Sequence, residues 1–288
     1  MRGRKRRVLV AVVLVMVSLL AGDALWWEPR HPQLRTYDVA LPGLPAEMDG
    51  FRVCQITDPH RHTRLSDSLI AHGVAMTNST SPDLLVLTGD YAGQDKRDYE
   101  PSAALLAQVQ TRFGALAVLG NHDHWAGPAY AKEALIAHGI RLLDNDAVEV
   151  SPGLWVAGID DESSGRPDED SALHKVPKGA ALIALAHDPK SSARFSDRSC
   201  LLLVGHTHGG QVLVPPIPRN WIPGLLFKSK GISGWYREGR ALMYVSRGLG
   251  MSMPTARFLC RPEVTLYVLH PGDGDEVRVL DQQASAKV

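Results

Sequence analysis

Cysteine is scarce in this chain: three in 288 residues, Cys54, Cys200 and Cys260. They lie far apart and form no CxxC pair, which excludes a zinc ribbon. Each stands in or beside an apolar run, so buried free thiols are expected, with a disulfide between two of them left open for an oxidising compartment. Net charge is also missing, since 31 acidic residues balance 31 basic ones. The balance is uneven. Arg2, Arg4, Lys5, Arg6 and Arg7 put five positive charges before residue 8, which leaves 26 basic against 31 acidic residues and a body of net charge −5. Phosphate contacts from Lys and Arg dominate the affinity of proteins for nucleic acid. This body lacks that surplus, and no nucleic-acid partner is expected. No internal repeat is visible.

What is there begins with an apolar run. Val8 to Leu20 is unbroken except for Ser18, and apolar character resumes at Ala24-Leu25-Trp26-Trp27. The stretch is about the twenty residues that a membrane-spanning helix needs. Trp26 and Trp27 suit the far lipid–water interface, and the basic segment 1–7 holds the N-terminus in the cytoplasm. The expectation is an uncleaved anchor over 8–27, with the rest of the chain outside the cytoplasm on a single-pass membrane protein. The rival is an exported protein whose signal peptide is cut at Ala21 or Ala24. Arg6-Arg7 loosely resembles a twin-arginine export signal, but the usual Phe-Leu-Lys does not follow. A basic run directly before the apolar stretch argues against a buried core helix.

At this length the chain can hold one large α/β domain or two small ones. Residues 28–50 are proline-rich with little periodicity and read as an extended linker. From residue 51 apolar runs of strand length alternate with helical patterns. Strands are expected at 51–57, 84–88, 115–119, 147–150, 154–159, 181–186, 201–204, 241–246 and 263–270. Helices are expected at 65–77, 101–112 and 128–138. Residues 161–179 read as an exposed loop with a short helix near Ala172, and 215–240 as irregular loop. This places a domain at 51–270 and a polar tail at 271–288.

The chemistry gathers where the strands stop. Leu201-Leu202-Leu203-Val204 ends in Gly205-His206-Thr207-His208, two imidazoles on a glycine-rich turn. The first strand stops at Asp58-Pro59-His60, the second at Gly89-Asp90, the third at Gly120-Asn121-His122-Asp123, and the strand at 181–186 at His187. Strands followed by helices imply a parallel or mixed sheet whose strand C-termini share one edge, where α/β sites form. Five strand ends carrying ligand-type groups point to a metal site. Mixed Asp, Asn and His ligation suits Mn²⁺, Fe or Zn²⁺, and the number of ligands suggests two ions. Asp90 is best placed to bridge them through its two oxygens. Such a pair clamps the attacking and leaving oxygens of a phosphoryl displacement and lowers the pKa of a bridging water.

Asp-x-His, Gly-Asp, Gly-Asn-His-Asp, His and Gly-His-x-His, in this order, resemble the calcineurin-like metallophosphoesterase superfamily over roughly residues 51–270. Gly205 to Gln211, Tyr244-Val-Ser-Arg-Gly-Leu-Gly250, Pro254, Arg257 and Pro262-Glu263 look like its bacterial membrane-associated branch. That branch is similar to enzymes that cleave UDP-2,3-diacylglucosamine. The resemblance implies a mixed β-sandwich flanked by helices. It assigns one metal to Asp58, His60, Asp90 and His208, and the other to Asp90, Asn121, His187 and His206. It makes His122 a general acid or charge stabiliser, with Asp123 orienting it. Where the family often has Leu or Tyr and then Gly after the first His, this chain has Arg61 and His62.

Other residues carry weaker signals. His62 and His124 flank the motifs as second-layer or substrate contacts, with exposed loop positions as the alternative. Arg247 stands at a strand end and can hold a phosphate oxygen through its guanidinium fork or form a structural ion pair. Trp221, Leu225, Leu226, Phe227 and Trp235 are candidates for an apolar lip, or for ordinary packing. His31, His72, His138, His174 and His270 read as surface residues. Asp168, Glu169 and Asp170 read as a solvated loop. The expected activity is hydrolysis of a phosphodiester or pyrophosphate, on a lipid-linked or nucleotide substrate. A phosphomonoesterase on the same site and a non-catalytic metal-binding scaffold are the alternatives. No metal-ligating position has been lost, which argues against the scaffold.

Overall fold

The computed structural model describes residues 2–62, 64–214, 231–253 and 255–281. Two β-sheets face each other. The first has seven strands in the order β13-β1-β12-β2-β3-β4-β5, and the second six in the order β10-β11-β9-β8-β7-β6. In chain order these are β1 (Gln33–Pro42), β2 (Phe51–Ile56), β3 (Leu84–Thr88), β4 (Ala115–Val118), β5 (Ile140–Leu142), β6 (Asp146–Ser151), β7 (Leu154–Gly158), β8 (Ala181–Leu185), β9 (Cys200–Val204), β10 (Gly234–Glu238), β11 (Ala241–Val245), β12 (Glu263–Gly272) and β13 (Arg278–Asp281). The helices are α1 (Arg2–Gly22), α2 (Arg64–Ser79), α3 (Tyr99–Leu106), α4 (Asn121–Ala126), α5 (Pro128–Ala137) and α6 (Glu169–Leu173). This is the mixed, helix-flanked β-sandwich that the motifs imply.

The continuous apolar runs are strands buried on both faces, since successive side chains point to opposite sides. Val53, Leu84, Val86, Leu201 and Leu203 meet between the two sheets. Their neighbours Cys54, Leu85 and Leu87 pack outward under Ile70, Val74, Ala103 and Leu135 of the helices. On the far side of the second sheet, Leu202, Val204 and Met243 cover Leu173 and Phe195. The three cysteines are free and buried.

β2, β3, β4 and β5 run parallel, as do β7, β8, β9 and β11. Two parallel sets therefore bring their C-terminal ends to one edge of the sandwich. Gln55 ties the sheets together there, its Nε2 donating to Thr88 Oγ1 at 2.9 Å and to Val204 O at 3.1 Å.

Four expectations need correction. The segment read as a linker, 28–50, contains β1, which pairs in parallel with β12 along its full length. The tail read as polar coil contains β13, antiparallel to β1. Part of the loop read at 215–240 is the edge strand β10, while residues 215–230 lie outside the described residues. The sheets thus extend past 51–270 at both ends. Proline at positions 32 and 42 masks β1, yet both sit where a strand tolerates it, at or next to its ends. The helix expected to reach residue 112 stops at Leu106, with turns after it.

Candidate metal centre

Each ligand-type side chain sits two to four residues past a buried strand. Of the nine non-glycine residues with positive φ among the described residues, five are Asp58, His60, Asp90, His206 and His208. Such backbone conformations cost on the order of 1–3 kcal/mol each and cluster at functional sites. Here they turn the chain sharply at three strand exits, after β2, β3 and β9, into one volume. Two glycines make the close approach possible. A Cβ on Gly205 would lie 2.2 Å from Asp58 Oδ2, and one on Gly120 2.2 Å from Asp90 Oδ1.

The structure gathers all seven expected ligand side chains. Asp58, His60, Asp90 and His208 place four ligand atoms within 4.8 Å of one another, all buried. His60 Nε2 lies 3.0 Å from His208 Nε2 and 3.3 Å from Asp90 Oδ2, and His208 Nε2 lies 3.4 Å from Asp58 Oδ1. The same Asp90 Oδ2 lies 3.2 Å from His187 Nε2. His187 Nε2 is 3.1 Å from Asn121 Oδ1, and His206 Nδ1 is 2.9 Å from that oxygen and 3.3 Å from His187 Nε2.

These separations fit cation ligation. Ligand atoms about 2.1 Å from an ion are about 3.0 Å apart across an octahedral edge and about 3.4 Å apart across a tetrahedral one. Pairs of imidazole nitrogens at such distances cannot both donate, and aspartate oxygens only accept. With the imidazoles neutral and the carboxylates ionised, the set presents converging lone pairs to a cation. His187 Nδ1 donates to Thr88 O at 2.7 Å, which turns Nε2 toward the cluster.

Burial sets the charge states. It pushes the His60 imidazole down to about 3 and His206 to about 4, and holds His208 well below its usual value. Neutral imidazole is the form that ligates. Burial also raises the Asp58 carboxyl to about 6. For His187 burial acts downward, but the carboxylates of Asp90, Asp58 and Asp161 outweigh it and raise that imidazole well above its usual value. A cation bound among these carboxylates would take the place of that proton.

His122 stands beside the cluster, outside it. Its ring centroid is 4.7 Å from that of His60, edge to face. Its Nδ1 donates to Gly93 O at 2.7 Å, and its backbone N to Asp90 Oδ1 at 2.9 Å. The expected orienting role of Asp123 is corrected here. Both of its oxygens are taken by backbone amides, Oδ2 by Asp90 and Gly120 at 2.8 Å each and Oδ1 by Tyr91 at 3.0 Å. As the third residue of α4 it caps that helix and clamps the Asp90 turn. A carbonyl orients His122 instead.

The weaker candidates resolve in different ways. His62 is exposed, its Nδ1 donating to His60 O at 2.6 Å. Arg61 pairs with Asp67 and Asp98. His124 Nε2 binds Asp160 Oδ1 at 2.6 Å. Arg247 lies 3.7 Å from Glu263 Oε2, the structural ion pair of the two alternatives. Trp235 is no lip residue, because it packs between the sheets against Tyr37, Tyr244 and Tyr267. Trp221, Leu225, Leu226 and Phe227 lie outside the described residues.

The roles of two supporting residues escape sequence reasoning, although Arg257 stands in the pattern that resembles the membrane-associated branch. Arg257 is fully buried, and its guanidinium donates to the carbonyls of Arg247, Gly248, Gly250, His208 and Cys260. Asp188 is buried with Oδ2 4.0 Å from His206 Nε2. Both act on neighbours distant in sequence or on a loop carbonyl, which leaves no local pattern.

Comparison with known proteins settles the family. Residues 51–210 match the calcineurin-like phosphoesterase family. The chain is also 30% identical over 256 residues to an uncharacterized metallophosphoesterase of Bacillus subtilis (strain 168), YkuE, covering 86% of this chain and 89% of that one. The chain belongs to the calcineurin-like phosphoesterases. This calcineurin-like phosphoesterase is a metal-dependent phosphoester hydrolase, with a cluster suited to divalent metal. It is similar to phosphodiesterase YaeI of Escherichia coli (strain K12), 29% identical over 76% of this chain and 82% of the relative. It also resembles a transmembrane protein with metallophosphoesterase domain from Danio rerio, at 26% identity over 90% of this chain but 62% of that protein.

Proposed function

We propose that this phosphoesterase binds two divalent ions (Mn, Fe or Zn) and hydrolyses phosphodiester or pyrophosphate bonds. The observation that carries the reading is Asp90 Oδ2, 3.3 Å from His60 Nε2 and 3.2 Å from His187 Nε2, one carboxylate oxygen serving two groups of donors. Asp58, His60 and His208 would complete one position, and Asn121, His187 and His206 the other. Bound ions supply Lewis acidity toward the phosphoryl oxygens and lower the pKa of coordinated water. The protein's own part is positioning and proton transfer. With Nδ1–H held by Gly93 O, His122 acts in its imidazolium form, giving the Nε2 proton to a departing alkoxide as general acid and leaving the neutral ring behind. His206 is the most open of the donor side chains, 17% exposed, and marks the side from which a phosphate enters.

The diester preference rests on similarity to a relative named a phosphodiesterase. Location follows from the N-terminus. Among the described residues one helix, Gly3–Arg30, is long and apolar enough to cross a membrane, and its apolar window is exposed along its length. Basic residues precede it and Trp26 and Trp27 close it, so the domain is read as extracytoplasmic on a single-pass anchor. A lipid-linked substrate of the UDP-2,3-diacylglucosamine kind fits that location. The deciding experiment measures ions per chain in metal-loaded protein, and turnover of bis-p-nitrophenyl phosphate against p-nitrophenyl phosphate with Mn²⁺. Two ions and faster diester cleavage are expected. One ion per folded chain removes the dinuclear reading, and a preference for the monoester replaces the diesterase with a phosphatase.

A further inference from the structure

The junction between the apolar helix and the domain is bonded more heavily than a simple tether requires. After α1 the helix continues through Asp23–Trp27 and Glu28–Arg30, and there it meets residues 257–261. Arg257 N donates to Ala24 O at 2.9 Å. Glu28 is 4% exposed, and its carboxylate accepts from Leu259 N at 2.8 Å and from Cys260 N. Arg261 Nε donates to His31 O at 2.8 Å, and its guanidinium lies 5.5 Å from the centroid of the Trp27 ring.

The same segment grips the metal loops. The Arg257 guanidinium reaches Gly250 O at 2.6 Å and Gly248 O at 3.2 Å, and Gly250 N donates to Asp58 O at 2.7 Å. Cys260 Sγ contacts His208 O at 3.3 Å. A single layer of residues therefore separates the end of the helix from the loops of Asp58 and His208.

Large apolar side chains are turned outward on this layer. Met253 is 83% exposed, Val214 50% and Leu259 49%, and Leu25, Trp26 and Trp27 at the end of the helix are exposed as well. Hydrogen bonds tie their three segments together: Leu213 N donates to Phe258 O at 2.9 Å and Ser252 N to the Gln211 side-chain Oε1 at 2.8 Å. Isolated exposed apolar residues are ordinary on a soluble surface. Leu259 stands at the end of the helix, its N bonded to Glu28 two residues after Arg257 N meets Ala24 O, and Ala24 is within about 5 Å of Trp27 along the helix axis at 1.5 Å per residue. Whatever surrounds the Trp pair also meets this face.

We propose that Val214, Met253 and Leu259 form a lipid-contact face, and that Glu28 and Arg257 are the joint that seats the metal centre on the bilayer surface. The occupant is the lipid of the membrane that the apolar helix enters, so the inference rests on the anchor reading. Its consequence is reach: the centre faces phosphoesters held at headgroup level.

The test uses the full chain in nanodiscs of phosphatidylethanolamine and phosphatidylglycerol with brominated acyl chains. A fluorophore is attached in turn at V15C, M253C, L259C and D275C, the last on the loop beyond the opposite end of β12. Bromine quenching is expected at 15, 253 and 259 and absent at 275. Quenching at 15 but not at 253 and 259 overturns the lipid-contact face and leaves the anchor intact. No quenching at 15 overturns the anchor reading and this inference with it. Glu28→Gln should reduce quenching at 253 while leaving position 15 unchanged. If neither position changes, the joint is dispensable and that half of the proposal falls.

Discussion

The two sides of the donor cluster are built differently. On one side, His60 and His208 are sealed, and burial holds both imidazoles neutral. On the other, His206 is partly open to solvent and His187 is drawn toward protonation by surrounding carboxylates. The sealed side is held by backbone: Asp58 and His60 sit on one tight turn whose amides donate to Gly89 O and Asp90 O at 3.0 Å each. The open side adds to the Thr88 carbonyl that holds His187 a set of side-chain contacts among Asn121, His187 and His206. Where the fold itself fixes the donors, an ion enters a prepared site. Where carboxylates retain a proton, binding must displace it, so occupancy there should depend more on pH and be easier to lose.

The largest effect is expected where the sides meet. Asp90→Ala should cost both ions and reduce kcat by more than the roughly 10–100-fold typical of partners outside the ligand shell. Retention of two ions by folded Asp90→Ala would remove the shared-carboxylate account. Next come the separate sides. His206→Ala should lose one ion and activity together whatever the leaving group, while a His60→Ala variant should lose the ion of the sealed side. If either substitution empties both positions, the two sides are not independent.

His122→Ala should keep both ions and the fold while lowering kcat by about 10² to 10⁴, the usual range for a lost general acid–base group. The loss should shrink on nitrophenyl esters, whose leaving group needs little protonation, and be full on alkyl esters. Equal losses on the two esters would contradict an acid role. The smallest effect concerns stability of metal-free protein. The folded pKa values of His60 and His206, about 3 and about 4, lie below their ordinary 6.5, so the unfolded chain takes up protons first. Stability should therefore fall as pH drops from about 6.5 through these values. Asp58, raised to about 6, opposes this, because it gains stability for the fold as pH falls toward its ordinary 3.8. Thermal melts of His60→Gln against the parent chain between pH 4 and 7 isolate the histidine part. A slope unaltered by the substitution would show that His60 does not contribute it.

Much of this was legible from residue order. Apolar runs of four to six residues ending in Asp, Asn or His marked both the strands and the edge where the donors gather, because a strand buried on both faces has to be continuously apolar. β1 was not legible. Its exposed start alternates with polar residues between prolines, and it becomes a strand by pairing with β12, more than two hundred residues later in the chain. Asp123 was misread for a related reason. Adjacency to His122 put it in the right place but gave no sign that three backbone amides would claim its oxygens.

The chain's own order of residues determined the class of chemistry, the donor types and the edge they occupy, since these depend on side-chain identity and on where each strand must stop. Tertiary structure decided which donors share a volume and which carboxylate oxygen serves both sides. It also decided that a carbonyl holds His122 and that Glu28 and Arg257 lock the apolar helix to the metal loops. Those outcomes depend on the angle at which two sheets pack and on where turns with positive φ aim their side chains. Both are set by contacts between residues far apart in the chain.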